Sequence, residues 1–189
     1  MALQCHLTPL PGVCVYTPEV HADARGIFME TFHVGKYLAA GVAELFVQDN
    51  FSRSCRGTLR GLHYQVAHAQ SKLIMALRGE IFDVAVDIRR GSPTFGRWAG
   101  EILSEDNHRQ MFVPKGFAHG FCVLSDGAEV LYKCTDFYAP EDDYGVLWSD
   151  PDLGIDWPIQ EPLLSVRDGS HQPLKRVPEA LLPVYAEEA

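Results

Sequence analysis

The sequence predicts an all-β fold, a sandwich or barrel of short strands. Residues 45 to 148 are short apolar or alternating runs broken by Gly, Pro, Asn and Asp, and none of them keeps helical periodicity. In the run Phe82 to Ile88, Phe82, Val84, Val86 and Ile88 fall on one face and Asp83, Ala85 and Asp87 on the other, so one face is expected to pack and the other to be polar. Phe117 to Val123 alternates in the same way, and Val130 and Tyr132 share a face of the run Val130 to Lys133. Strands this short and this closely spaced build sandwiches and barrels, jelly rolls among them. Val34 to Ala43 is expected to add a short peripheral helix, with Gly35 and Gly41 near its ends. The tail after Trp157 is rich in Pro and ends in Ala-Glu-Glu-Ala, a composition expected to wrap the surface or fray.

Bulk properties narrow the function. A chain of 189 residues fits one domain and can bury a sizeable core. Its 47% hydrophobic and 22% charged residues are those of an ordered globular protein. A net charge of -9 opposes non-specific binding to nucleic acid or to an anionic membrane, so a phosphate-bearing ligand needs a local basic pocket. The five cysteines, Cys5, Cys14, Cys55, Cys122 and Cys134, are odd in number and form no CxxC pair, which argues against a disulfide framework or a zinc ribbon. Residues 1 to 20 lack the basic start and apolar stretch of an export signal, so the expected compartment is the reducing cytoplasm. No glycine-rich dinucleotide fingerprint and no internal repeat is present.

Gly57, five residues, then His63, and later Pro114-Lys115-Gly116-Phe117-Ala118-His119, resemble the two short motifs of the cupin superfamily. Those motifs normally supply metal ligands. Here Gln65 stands in place of a second histidine, and counting six residues back from Gly79 puts Lys72 where the ligand glutamate belongs. An ammonium has no lone pair to give a metal. It can, however, stabilise an oxyanion as a metal would.

Arg60-Gly61-Leu62-His63-Tyr64-Gln65, followed by Gln70-Ser71-Lys72-Leu73, is similar to the signature of the dTDP-4-dehydrorhamnose 3,5-epimerase family. Asp23 to Glu30, Gln48 to Ser52, Ser92 to Gly96, Gly116 to Phe121, Tyr132-Lys133 and Trp157-Pro158 follow in the family's order, so the resemblance spans roughly residues 12 to 170. It implies a cupin-type jelly-roll barrel and cofactor-independent epimerisation, with no metal, at C3 and C5 of a dTDP-linked 4-keto-6-deoxy sugar. It also implies that His63 is the base, that Asp168 orients it, that Tyr132 is the acid on the opposite face, and that Lys72 meets the C4 oxygen. By the same resemblance Arg25, Arg60, Gln48 and Asn50 hold the diphosphate, and Phe28, Glu30 and Tyr138 surround the nucleoside. His119 and Asp83 resemble a His-Asp pair deeper in the cavity. The family's homodimer joins an extended N-terminal strand to the neighbour's sheet, which would let Gln48 and Asn50 serve the partner's site. The family commonly carries a glutamate near the position of Asp143, so this chain's departure there is conservative.

Each residue also has an ordinary structural reading. Taken alone, His63 is a bonded structural histidine, Lys72 a solvated strand residue, Tyr132 a core aromatic and Asp168 a turn residue. Arg25-Gly26 reads as a plain turn, and Asp83 and Asp87 as solvent-facing strand positions if that sheet face lies outside. Three rival functions share the motifs: a metal-dependent cupin using His63 and His119, a non-catalytic sugar-nucleotide binding module, and an epimerase acting at C3 only or on another nucleotide's sugar.

Overall fold

The computed structural model describes residues 3–186. Among them, thirteen strands and one short α-helix follow in the order β1 (Gln4–Leu7), β2 (Cys14–Thr17), β3 (Val20–Asp23), β4 (Gly26–Met29), α1 (Val34–Ala39), β5 (Gln48–Cys55), β6 (Leu59–Tyr64), β7 (Lys72–Arg78), β8 (Glu80–Asp87), β9 (Trp98–Ser104), β10 (Gln110–Val113), β11 (Phe117–Val123), β12 (Gly127–Cys134) and β13 (Tyr144–Gly145). Two antiparallel sheets result, ordered β1-β2-β10-β7-β12-β5 and β13-β6-β11-β8-β9, while β3 and β4 form a separate hairpin. The inward residues of both sheets meet in one apolar cluster: Ile74, Met111, Val113 and Val130 from the first, and Ile81, Ala85, Leu103, Phe117 and Phe121 from the second. This is the jelly-roll, cupin-type sandwich expected of short alternating strands.

Both outer faces are covered as well. Tyr37 of α1 packs with Tyr16, Leu73 and Phe112 on the first sheet, its ring centroid 5.4 Å from that of Tyr16. The helix ends at Ala39 rather than Ala43, and the chain leaves it through Gly41 at φ +97°, a conformation that favours glycine. Over the second sheet, Leu153, Leu174 and Leu182 pack against Leu62, Val84, Val86 and Ile88. The tail therefore wraps, stitched to the body by bridges Thr58–Leu163, Val146–Gln172 and Arg90–Val184. Glu187 to Ala189, the end of the tail where fraying was considered, lie outside the described residues.

This covering corrects the expectation of a polar outer face on β8. Asp83 and Asp87 are both 0% exposed, because their face looks into the sandwich while the opposite face lies under the C-terminal segment. Period-two alternation separates two faces but does not say which environment each meets. The four strands before residue 45 are also additions to the sequence reading. They are short, and β1, β3 and β4 are largely exposed, so they carry little apolar alternation. The five cysteines are free, and no described helix is long and apolar enough to cross a membrane.

Asp87 shows how a carboxylate is tolerated in this interior. Its Oδ1 accepts from Arg89 Nε at 2.9 Å, and its Oδ2 from Arg89 Nη2 at 2.7 Å, Ser92 Oγ at 2.5 Å and Thr94 Oγ1 at 2.6 Å. Burial alone would raise the carboxyl pKa, but these donors together hold it below its ordinary 3.8. A depressed folded-state pKa stabilises the fold above the unfolded value, and this contribution is lost as pH falls through the folded one. Asp87→Asn is therefore expected to lower unfolding free energy at pH 7 by about 3 kcal/mol. In urea titrations across pH, the gap from wild type should narrow below about 3.8, and a gap that widens there would contradict the account.

Candidate active site

The opening between the sheets is polar where the central cluster beside it is apolar. Strand pairing explains why. On the first sheet Tyr132 of β12 pairs with Asn50 of β5 and Ile74 of β7, and Cys134 pairs with Gln48 and Lys72. Paired residues share a face, so Gln48, Asn50, Lys72 and Tyr132 all point the same way. On the second sheet His63 of β6 pairs with His119 of β11. The two sets face each other across two adjoining hollows of about 540 and 270 Å³ that share His63, Lys72 and Tyr132. Gln48, Asn50 and Tyr138 line the first, and Arg60, His119 and Asp168 the second.

His63 reaches its place through an irregularity. The β6–β11 register shifts between His119 and Phe121, because Gly61 and Leu62 stand opposite the single residue Gly120. Gly61 adopts φ +104°, and a Cβ there would lie 2.5 Å from the His119 carbonyl oxygen and 2.8 Å from the Gly120 Cα. Both contacts are backbone and cannot swing aside. Glycine is therefore required for the two histidine-bearing strands to approach.

His63 Nε2 hydrogen-bonds Asp168 Oδ1 at 2.5 Å, which leaves Nδ1 as its other ring nitrogen. The His63 side chain is 32% exposed and Asp168 only 6%. Burial works to raise the Asp168 pKa, yet the bonds from His63 and from Ser165, with the nearby imidazoles, hold it below the usual carboxylate value. A third imidazole-bearing residue, unforeseen from sequence, completes the cluster: His171 Nε2 lies 3.8 Å from Asp168 Oδ1, and its ring sits edge-on to His63 at 5.9 Å. Burial first, and then the charge of His63, lower the His171 pKa.

Lys72 is the other charged group at the centre. Among the described residues its ammonium has no hydrogen-bond or ion-pair partner. Burial lowers its pKa, against the pull of Cys134, Asp143 and Asp83. Burial raises the Tyr132 phenol, with Cys134 adding to the effect and Arg60 opposing it, so the hydroxyl keeps its proton at neutral pH. Deeper in, His119 Nε2 bonds Asp83 Oδ1 at 2.8 Å with both side chains buried. The solvent-facing reading of Asp83 is thereby corrected.

Gln65, at the lost ligand position, is occupied by backbone. Its Nε2 donates to the carbonyls of His68 and Phe137, and its Oε1 accepts from Ala139 N at 3.0 Å. This anchors the loop that presents Tyr138, whose hydroxyl donates to Asp143 Oδ2 at 3.0 Å and whose N–H donates to Gln48 Oε1 at 3.0 Å. Arg167 clamps Asp143 with Nη1 at 2.5 Å from Oδ2. Among the described residues, the His/Cys/Asp/Glu group with ligand atoms close enough to share a metal is His63, Asp168 and His171. His119, paired instead with Asp83, is not part of it.

Three expected binding residues stand apart. Arg25, Phe28 and Glu30 lie on or next to the β3–β4 hairpin and border other grooves. Arg25 is tied to Asp23, Glu30 Oε2 accepts from Lys36 Nζ at 2.9 Å, and Phe28 is 72% exposed. Gln48 and Asn50, by contrast, line the cleft of their own chain beside His63, because β5 is edge-paired to the strand carrying Tyr132.

A family model described as dTDP-4-dehydrorhamnose 3,5-epimerase matches residues 7–176. The dTDP-4-dehydrorhamnose 3,5-epimerase of Pseudomonas aeruginosa is 58% identical over 161 residues, covering 84% of this chain and 89% of that protein. A Streptomyces niveus dTDP-4-dehydrorhamnose 3-epimerase is 42% identical over 180 residues, covering 94% and 87%. The crystal structure of a Legionella pneumophila dTDP-6-deoxy-D-glucose-3,5-epimerase in complex with dTDP-4-keto-L-rhamnose superposes with a TM-score of 0.95 at 49% identity, covering 97% of this chain and 99% of that one.

The geometry at Gly61 gives a test of its own. Gly61→Ala must relieve two backbone clashes in a left-handed conformation, which should cost about 2 to 4 kcal/mol in urea unfolding. Wild-type stability in that variant would show that β6 and β11 can separate freely.

Proposed function

The chain belongs to the dTDP-4-dehydrorhamnose 3,5-epimerase family, and we propose that it inverts C3 and C5 of a dTDP-linked 4-keto-6-deoxy sugar with His63 as base and Tyr132 as acid. The carrying observation is that His63 and Tyr132 come from opposite sheets and line the same hollows. A base on one side of a sugar ring and a proton donor on the other is what inversion of a carbon requires.

The ketone at C4 acidifies the protons on both neighbouring carbons. His63 takes one of them, and the electron pair moves onto O4 as an enolate. Asp168, kept ionised, stabilises the imidazolium so formed. Lys72 meets the charge growing on O4, and its lack of a protein partner leaves the ammonium for that oxygen. Tyr132 returns a proton to the opposite face, and exchange with water resets both groups. A change of ring conformation then offers the second carbon to the same pair.

Arg60 supplies positive charge at the mouth of the cleft, where its Nε donates to Ser54 Oγ at 3.0 Å. Arginine's planar donors suit a diphosphate. Gln48 and Asn50 assist it, and the half-exposed Tyr138 ring offers a face to the base. Arg25, Phe28 and Glu30 are too far round the surface to belong to this cleft and are assigned to the cleft of a second copy. The exposed Ile27 and Phe28 of the hairpin support such a homodimer. That no protein anion bonds the Lys72 ammonium also favours turnover over a pure binding module, because a cation beside a ketone oxygen gains most as that oxygen becomes an enolate.

The reading is tested by incubation with dTDP-4-keto-6-deoxyglucose in heavy water, followed by NMR. Deuterium should enter at both C3 and C5, and His63→Ala should abolish both. Exchange confined to C3 would reassign the chain to the 3-epimerases, and exchange surviving in His63→Ala would require another base. Lys72→Met should lower turnover roughly a hundred- to thousandfold with little change in KM, since the charge on O4 is a transition-state feature. Arg60→Ala, whose phosphate contact does not change during reaction, should act chiefly on KM. A pure KM effect in Lys72→Met would make Lys72 a substrate clamp.

A further inference from the structure

Asp168 lies between two imidazoles, and only one of them is explained by the epimerisation chemistry. His171 Nε2 is buried and makes no hydrogen bond, because the nearest acceptor, Asp168 Oδ1, is 3.8 Å away. A buried polar atom without a partner needs an explanation. The ring is not there by default packing: it is seated against Gly145, where a Cβ would lie 2.2 Å from Nε2 and 2.5 Å from Cδ2 and Cε1. Gly145 in turn pairs with His63 across β13 and β6. The fold thus leaves out a side chain opposite His63 and fills the room with a second imidazole, whose Nε2 lies 3.8 Å from the carboxylate already bound to the first.

We propose that His63 Nε2, Asp168 Oδ1 and His171 Nε2 form a binding site for Zn(II) that switches the enzyme off. The three atoms lie within 4.8 Å of one another. Two neutral imidazoles and a carboxylate are a common zinc donor set, leaving a fourth tetrahedral position for water. Bonds near 2.1 Å put tetrahedral ligands about 3.4 Å apart. His171 and Asp168, at 3.8 Å, need to close by a few tenths of an ångström. His63 and Asp168, at 2.5 Å, must open by somewhat under an ångström, which the partly exposed His63 ring can accommodate.

Inhibition follows from the tautomer. In the metal-free pair the proton of neutral His63 sits on Nε2 and is donated to Asp168, so Nδ1 carries the lone pair. A metal on Nε2 displaces that proton, and a neutral imidazole bound through Nε2 must carry its proton on Nδ1. The proton moves from one ring nitrogen to the other, with no net release, and the nitrogen left to face substrate has nothing to accept with. Binding of the ion stands on geometry alone. Its inhibitory effect rests on the reading of His63 as the base.

The experiment separates these two parts by reading binding without turnover. Co(II) titrated into the full-length protein should give the intense visible absorption of a tetrahedral site at one ion per chain, and Zn(II) should displace it. Zn(II) should also suppress epimerisation, with recovery on adding a chelator. His171→Asn removes one of three protein ligands and should weaken both Co(II) binding and Zn(II) inhibition at least about a hundredfold. Comparing each protein's activity with and without metal cancels any change in its basal rate, and His171→Gln serves if the asparagine variant is unstable by circular dichroism. A wild-type protein without the visible band, a band or inhibition unchanged in both variants, or a near-ultraviolet thiolate band placing the ion on cysteines would each overturn the site. Metal bound with the predicted spectrum but without inhibition would leave the site standing and overturn His63 as base.

Discussion

The hydrogen bond between His63 and Asp168 joins residues 105 positions apart, and the anchoring of the C-terminal segment makes it possible. His63 is fixed from behind by the β6–β11 bulge at Gly61 and beside it by β13. Asp168 opens a short 3-10 turn, Asp168–Ser170, on a C-terminal segment without long helices or strands, so its position depends on anchoring. The bridges at Thr58–Leu163 and Val146–Gln172 hold that segment before and after the carboxylate. The burial of Leu153, Leu174 and Leu182 supplies the apolar free energy that keeps it down, at about 1.5 to 3 kcal/mol for each fully buried side chain. Burial of the segment also dries Asp168, which strengthens its hold on an imidazolium.

The second constraint is electrostatic. Lys72 stands where the polar opening meets the apolar cluster, and among the described residues no anion bonds its ammonium, although Asp143 and Asp83 act on it from a distance. Burying such a charge opposes folding, since an unpaired ion loses hydration that a hydrocarbon interior does not return. The cleft reduces the cost by remaining open to water between the sheets. That same opening can admit a ligand, and in the proposed mechanism a developing oxyanion is the partner of this ammonium. Tyr132, raised in pKa by burial, stays a proton donor, while the same burial lowers the Lys72 pKa against the pull of Cys134, Asp143 and Asp83. With a net charge of -9 over the chain, attraction for a nucleotide diphosphate has to be local, and in the proposed reading Arg60, which borders the cleft, supplies it.

The sequence by itself determined the period-two strands, the approximate limits of β8 and β11, the second half of β12 and the two motifs around His63 and His119, because alternation and glycine spacing are local properties of the chain. Through family resemblance it also marked His63, Lys72, Tyr132 and Asp168, which the structure gathers around one cleft. It did not reveal that both faces of β8 are covered, since a period of two is the same whether the far side meets water or a returning tail. Nor did it separate Arg25, Phe28 and Glu30 from the cleft, because motif order carries no distance. His171 was invisible for a further reason: a lone histidine in a Pro-rich tail has no pattern, and its meaning comes from the missing Cβ at Gly145 and the carboxylate 3.8 Å away. Those contacts join segments far apart in the chain, and only tertiary packing decides which of them meet.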